Sequence, residues 1–145
     1  MQAMPLLKVP SVTLLEANRL VAFGLVVLIW LVQVIVYPAF SEIPAARFAT
    51  WHAGYTRAIS GIVAPLMLGQ AALLGWLLAV RPSPWAALAA GLVALAWVVT
   101  FALAVPAHEA LQAAGPDPDV IARLIAVNGV RTVAWTLAFL ALLLA

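Results

Sequence analysis

The chain is 145 residues long, 67% hydrophobic and only 8% charged, with a formal net charge of +2. So little charge cannot clothe a water-facing surface, which excludes a soluble domain, and the small scattered positive excess excludes a nucleic-acid surface. With no cysteine in the sequence, disulfides and thiolate metal ligands are excluded as well.

Residues 1–15, whose only charged side chain is Lys8, read as an N-terminal tail, and 16–145 as one transmembrane domain. Four apolar runs near the length that crosses a bilayer follow, at roughly 19–40, 55–80, 85–105 and 120–145. The first ends in Val36-Tyr37-Pro38-Ala39-Phe40. Ser41-Glu42-Ile43-Pro44 then breaks the chain, with Ser41 or Glu42 near the next helix start, and 45–80 reads as one long helix. Pro65 is expected to kink it and free a backbone carbonyl. Arg81-Pro82-Ser83-Pro84 leaves room only for a tight turn. The third run ends in Ala104-Val105-Pro106-Ala107-His108. Gly115-Pro116-Asp117-Pro118-Asp119 separates it from the fourth, with Asp117 as N-cap and Pro118 at the first helical position.

Short connections make this an all-α membrane protein, an antiparallel up-down-up-down four-helix bundle. Both termini share one face with the 81–84 turn. If Arg57 is held in a site, the Lys/Arg tally tips towards cytoplasmic termini, in what reads as a bacterial inner membrane. Two stretches resemble one another: both open on Ala-Arg (Ala46-Arg47, Ala122-Arg123) and close on Thr nine residues after the Arg. Within them His52 matches Asn128 and Tyr55 matches Arg131, which suggests an internal repeat of two pseudo-symmetric helical hairpins. Gly61, Gly69, Ala72, Gly75 and Gly91 are expected to let helices approach closely.

Helical spacing gathers the polar groups. Asn128, Arg131, Thr132 and Trp135 fall on one stripe of the fourth span, and His52, Tyr55, Thr56 and Ile59 on one stripe of the second. Trp30, Gln33 and Tyr37 make a shorter stripe on the first, and Phe101, Ala104, Val105 and His108 one on the third. All point to one end of the bundle, so a polar funnel is expected, opening at that membrane face. Arg131 lies 14 residues before the C-terminus, ~21 Å along a helix, and so reads as its floor. An arginine at such depth needs a partner or water. It either snorkels and bonds Asn128, or binds an oxyanion or carbonyl, which suits its fork.

His52 and His108 are the only histidines and Tyr37 and Tyr55 the only tyrosines. The histidines could act as acid and base, ligate a metal, or bridge headgroups and water. No cofactor is required; haem, copper or iron at the two histidines stays open. The tyrosines fit an aromatic belt or hydrogen bonds to a bound carbonyl. Gln70, deep on the second span, reads as an interhelical hydrogen bond.

Tyr37-Pro38, His52-x-x-Tyr55, Val105-Pro106-Ala107-His108 and Asn128-x-x-Arg131-Thr132 together resemble the layout of small four-span bacterial membrane proteins of unknown function. More distantly they are similar to the anthrone-oxygenase-like family, and the resemblance covers nearly the whole chain. It implies oxidation of a flat hydrophobic carbonyl or phenol without a defined cofactor. The expected catalytic set is His52, His108, Asn128 and Arg131. Tyr37, Tyr55, Arg57, Thr132, Gln33 and Trp135 are the expected ligand contacts. The alternative is a non-enzymatic lipid- or small-molecule-binding module, or an accessory subunit of a larger complex. Membrane lipid and a hydrophobic small molecule are the expected partners, and the oligomeric state stays open.

Overall fold

The computed structural model describes residues 11–145. The first helix is described from Ser11 onward, and Leu14 and Leu15 are buried in the core. Leu14 and Leu15 therefore pack with the bundle; 1–10, most of the expected tail, lie outside the described residues. Four helical spans follow, Thr13–Glu42, Ala45–Val80, Pro84–Ala114 and Pro118–Leu144, each long and apolar enough to cross a membrane. Large apolar side chains such as Leu20, Phe23, Ile35, Trp76 and Leu144 stay exposed on the outside, as a lipid-facing surface requires.

The breaks have local causes. Ser83 accepts a hydrogen bond from the Ala86 N–H at 3.1 Å, with Pro84 opening the helix behind it. Asp117 Oδ1 accepts from the N–H groups of Asp119 and Val120 at 2.9 and 3.2 Å, and Pro118 again takes the first helical position. Caps of this kind contribute about 1 kcal/mol each. Gly115 ends the third span at φ 89°, a backbone state that disfavours any Cβ. Ser41 and Glu42 do not start the second span. They finish the first as a 3₁₀ turn, Phe40–Glu42, and Pro44 precedes the second. That second helix is continuous from Ala45 to Val80 with Pro65 inside it, and the third runs on to Ala114, past the expected end at 105. At the terminal face Arg19 Nε donates to the Leu142 carbonyl at 2.9 Å and Nη2 to that of Leu143 at 3.2 Å, satisfying the last turn of the fourth span.

The fourth span is the hub. Of its most apolar window 44% is buried, against 22–28% for the other three. It packs against the third and first spans, and the first against the second; the seam between second and third is the sparsest. Close approach comes from alanines: Ala86, Ala89, Ala96, Ala134, Ala138 and Ala141 are all buried. The glycines do not serve it. A Cβ built on Gly61, Gly69, Gly75 or Gly91 meets no atom within 4 Å, and Ala72 is exposed.

Two spans contain a π-helical turn at the same distance before a proline. Val32–Val36 precedes Tyr37-Pro38, and Thr100–Ala104 precedes Val105-Pro106. A proline inside a helix has no N–H to give and its ring collides with the carbonyl four residues back. The wider turn avoids both problems: the Tyr37 N–H bonds the Val32 carbonyl and the Val105 N–H that of Thr100, five residues apart in each case. Thr100 also folds its hydroxyl back onto the Ala96 carbonyl at 2.7 Å, a bond that helps bend a helix. The hydrophobic core is split near these turns. One part holds Ala22, Leu25, Leu74, Ala134 and Leu142, and the other Val32, Phe40, Phe48, Leu111 and Leu124.

Candidate functional site

A cavity of about 220 Å³ lies inside the bundle and is lined by all four spans. Its apolar part is made by residues such as Leu25, Ile29, Val63 and Met67, and its polar part by Tyr37, Tyr55, His108, Arg131 and Trp135. No Asp or Glu lines it. The exposed lining residues are Ser60 and Ala64 on the second span and Phe101 and Val105 on the third. The opening is therefore lateral, through the sparse seam, towards the lipid-facing side. The expected funnel mouth at the bundle end is closed by aromatic packing. Phe40 and Phe48 are fully buried there, and Phe40 sits edge-on to His52, Tyr55, His108 and Trp51.

Arg131 is only 6% exposed. Its Nη1 donates to Asn128 Oδ1 at 3.1 Å, and its guanidinium carbon lies 5.1 Å from the centre of the Trp135 ring, within cation–π range. Nε is buried with no hydrogen-bond partner. Behind the arginine runs a chain of amides: Asn128 Nδ2 donates to Gln33 Oε1 at 2.8 Å, and Gln33 Nε2 to the Ile125 carbonyl at 3.2 Å. Thr132 bonds the Asn128 carbonyl at 2.9 Å. Trp135 is itself held by Gln70, whose Oε1 accepts from Nε1 at 3.0 Å, so the interhelical role of Gln70 is met. A buried guanidinium with neutral supports and no carboxylate on the cavity wall has the chemistry to accept an oxyanion or a polarised carbonyl.

In the same lining Tyr37 Oη lies 3.0 Å from His108 Nε2, and His108 Nδ1 lies 3.0 Å from His52 Nε2. His52 Nδ1 in turn meets Gln112 Oε1 at 2.8 Å. The two imidazoles stack at 5.2 Å between ring centres, with Phe48 stacked on His52. All four ring nitrogens are thus engaged. Stacked rings also lack the end-on arrangement that two axial ligands of one haem need, so a haem between His52 and His108 does not fit. Among the described residues no cluster of three or more His, Asp or Glu could hold a metal.

The structure sorts the expected residues into three groups. Tyr37, Tyr55, His108, Arg131 and Trp135 line the cavity. His52, Asn128, Gln33 and Thr132 stand behind them as supports, with His52 only 1% exposed. Arg57 is exposed and outside the cavity lining: it sits five residues after His52, well round the helix from it and nearer the exposed edge of Ser60 and Ala64. With Arg57 free, the charge tally that placed the termini in the cytoplasm loses its premise. Trp30 also turns outward, 47% exposed, bonding Thr136 Oγ1 at 3.1 Å. Gln112, Phe40 and Phe48 were missed. Gln112 had a signal, since it lies one turn after His108 on one helix face, and so had Phe48, one turn before His52; nothing in the spacing marks Phe40. No protein-family model matches the chain, and no curated protein or solved structure shows significant similarity to it.

Proposed function

We propose that the protein is a membrane-embedded, oxygenase-like oxidoreductase acting on a planar, hydrophobic carbonyl or phenol that enters from the bilayer. The observation that carries this reading is the pairing, in one apolar cavity free of carboxylates, of Arg131 with the hydrogen-bonded Tyr37 and His108. Such a wall favours loss of a proton from a phenol, or from carbon beside a carbonyl. His108 receives the proton, directly or through Tyr37, and Arg131 stabilises the oxyanion left behind. An electron-rich anion of this kind reacts with dioxygen. A methylene beside the carbonyl becomes a second carbonyl, one oxygen atom being kept and the other leaving as water. The resemblance of the sequence layout to anthrone-oxygenase-like proteins and small bacterial four-span proteins is the basis for proposing this substrate class and a bacterial inner membrane. The internal-repeat reading gains support from the two π turns, which stand in equal register before Pro38 and Pro106.

The test is turnover of anthrone in air by the purified protein in lipid nanodiscs. Arg131→Gln should lower turnover by about 10²–10³, as loss of an oxyanion donor does elsewhere, while Arg131→Lys keeps part of it. Turnover unchanged in Arg131→Gln overturns the proposal. A second reading, a ligand-binding module or accessory subunit, is favoured by the complete internal pairing of the histidine nitrogens. Binding of anthrone without turnover selects it.

A further inference from the structure

The chain of groups from Tyr37 to the bundle end has a direction, and one residue outside the cavity sets it. Gln112 Nε2 lies 3.1 Å from the backbone carbonyl of Ala49, which can only accept. The amide nitrogen must therefore face Ala49, and Gln112 presents its oxygen to His52 Nδ1. An amide oxygen only accepts, so His52 Nδ1 carries the proton and, in the neutral ring, Nε2 is bare. His108 Nδ1, 3.0 Å from that bare nitrogen, must then donate, which leaves His108 Nε2 as the acceptor for the Tyr37 hydroxyl. Every partner is fixed by the one before it. Both histidines are held as the Nδ1–H form, whereas free neutral histidine prefers Nε2–H.

We propose that Gln112 is a positioning residue that keeps a proton path from the cavity to the bundle end in its receptive direction, with the bare nitrogen of His108 turned to Tyr37. When a proton arrives at His108 Nε2, the proton on His108 Nδ1 passes to His52 Nε2. His108 stays neutral and His52 becomes imidazolium, so the count of protons and charge is kept. Gln112 is exposed, and its swing away from Ala49 exposes His52 Nδ1, from which the proton leaves to water. The chain is then reversed, with a bare His52 Nδ1 facing an amide oxygen, two acceptors in opposition. Return of Gln112 to Ala49 favours the reverse hops: water gives a proton to His52 Nδ1, His52 Nε2 passes its own to His108 Nδ1, and His108 Nε2 returns one to the cavity. The path thus delivers one proton for each it removes and ends in its receptive direction. Ligand and proton thus use separate routes: the lateral seam for the one, the closed bundle end for the other. The hydrogen-bond geometry carries this inference whether or not the cavity performs oxygenase chemistry.

The experiment is solid-state NMR of the histidine ring nitrogens in the full chain in nanodiscs at neutral pH, without substrate. Wild-type protein should show both rings protonated at Nδ1 and bare at Nε2; an Nε2–H form with bare Nδ1 at either histidine overturns the proposal. Gln112→Leu, which offers no acceptor, should shift the protonated-nitrogen signals of both rings to Nε2. Gln112→Glu, an acceptor without the amide that binds Ala49, should keep the wild-type forms. A merely structural role predicts the same response from both variants, and that result overturns the assignment too. Should Gln112→Leu fail to fold, the wild-type and Gln112→Glu spectra still decide it.

Discussion

Asn128 is the residue on which the arginine's usefulness depends. It is fully buried, donates one amide hydrogen to Gln33 Oε1, and takes the Arg131 bond on its oxygen. Asn128→Leu keeps the size but leaves a guanidinium hydrogen and the Gln33 oxygen without partners. At about 1–3 kcal/mol for each stranded buried group, more where charge is involved, it should cost several kcal/mol in unfolding measurements. Asn128→Asp separates stability from function. A carboxylate there pairs directly with Arg131, so the fold should survive the loss of the Gln33 bond, while affinity for an anionic or phenolic ligand falls about tenfold or more, the loss of roughly 1.4 kcal/mol of attraction. Unaltered affinity in Asn128→Asp means that the guanidinium does not meet the ligand. Much at this scale was readable beforehand. One helix stripe held Asn128, Arg131, Thr132 and Trp135 on the buried side, because 3.6-residue periodicity survives in a straight helix. Arg57 failed the same test: it shares no stripe with His52 and Tyr55.

The helices themselves were readable wherever proline, glycine or a cap marks an end, as at Ser83, Gly115 and Asp117. The π turns were not. They arise from a conflict between a proline and the carbonyl four residues before it, which a helix can resolve by kinking, ending or widening, and sequence does not choose among these. The choice matters because a turn closed five residues apart holds one residue more than an α turn. Each residue of an α-helix turns the face by roughly 100°, so this extra residue decides where His108 and Gln112 point relative to Val93 and Ala96. Deleting Ala102 from the turn Thr100–Ala104 should therefore let it close as α-helix, leaving both flanks in register. Deleting Ala94 from the α-helical part instead rotates the buried face of Ala86 and Ala89 out of the bundle. Thermal unfolding in detergent should show the Ala102 deletion to be the milder by several degrees, since it spares the alanine packing against the fourth span. Equal damage from the two deletions argues that the turn is not an inserted residue.

At the scale of the molecule, four antiparallel spans followed from run lengths and short connections, but the way into the cavity did not. Access depends on how far two helices splay, and splay is a property of packing between spans that no single stripe records. The sequence places polar groups near one bundle end, and an opening at that end is the simplest inference from them. Phe40, Phe48 and His52, all buried, close that end, and the cavity reaches the surface between Ser60 and Ala64 on one side and Phe101 and Val105 on the other. A lateral mouth suits a ligand dissolved in lipid, since it never has to leave an apolar medium before its oxygen meets Arg131. Ala64→Trp places a large ring in the seam at an exposed position, where it strains no packed core. It should lower kcat/KM for a hydrophobic substrate about tenfold or more, the least that one misfitting group costs in an apolar pocket, with the unfolding temperature unchanged. Thr50→Trp, exposed at the closed end, should leave kcat/KM as in the wild type. The reverse pattern, a block at Thr50 and none at Ala64, requires that the aromatic plug open to admit substrate through the end of the bundle.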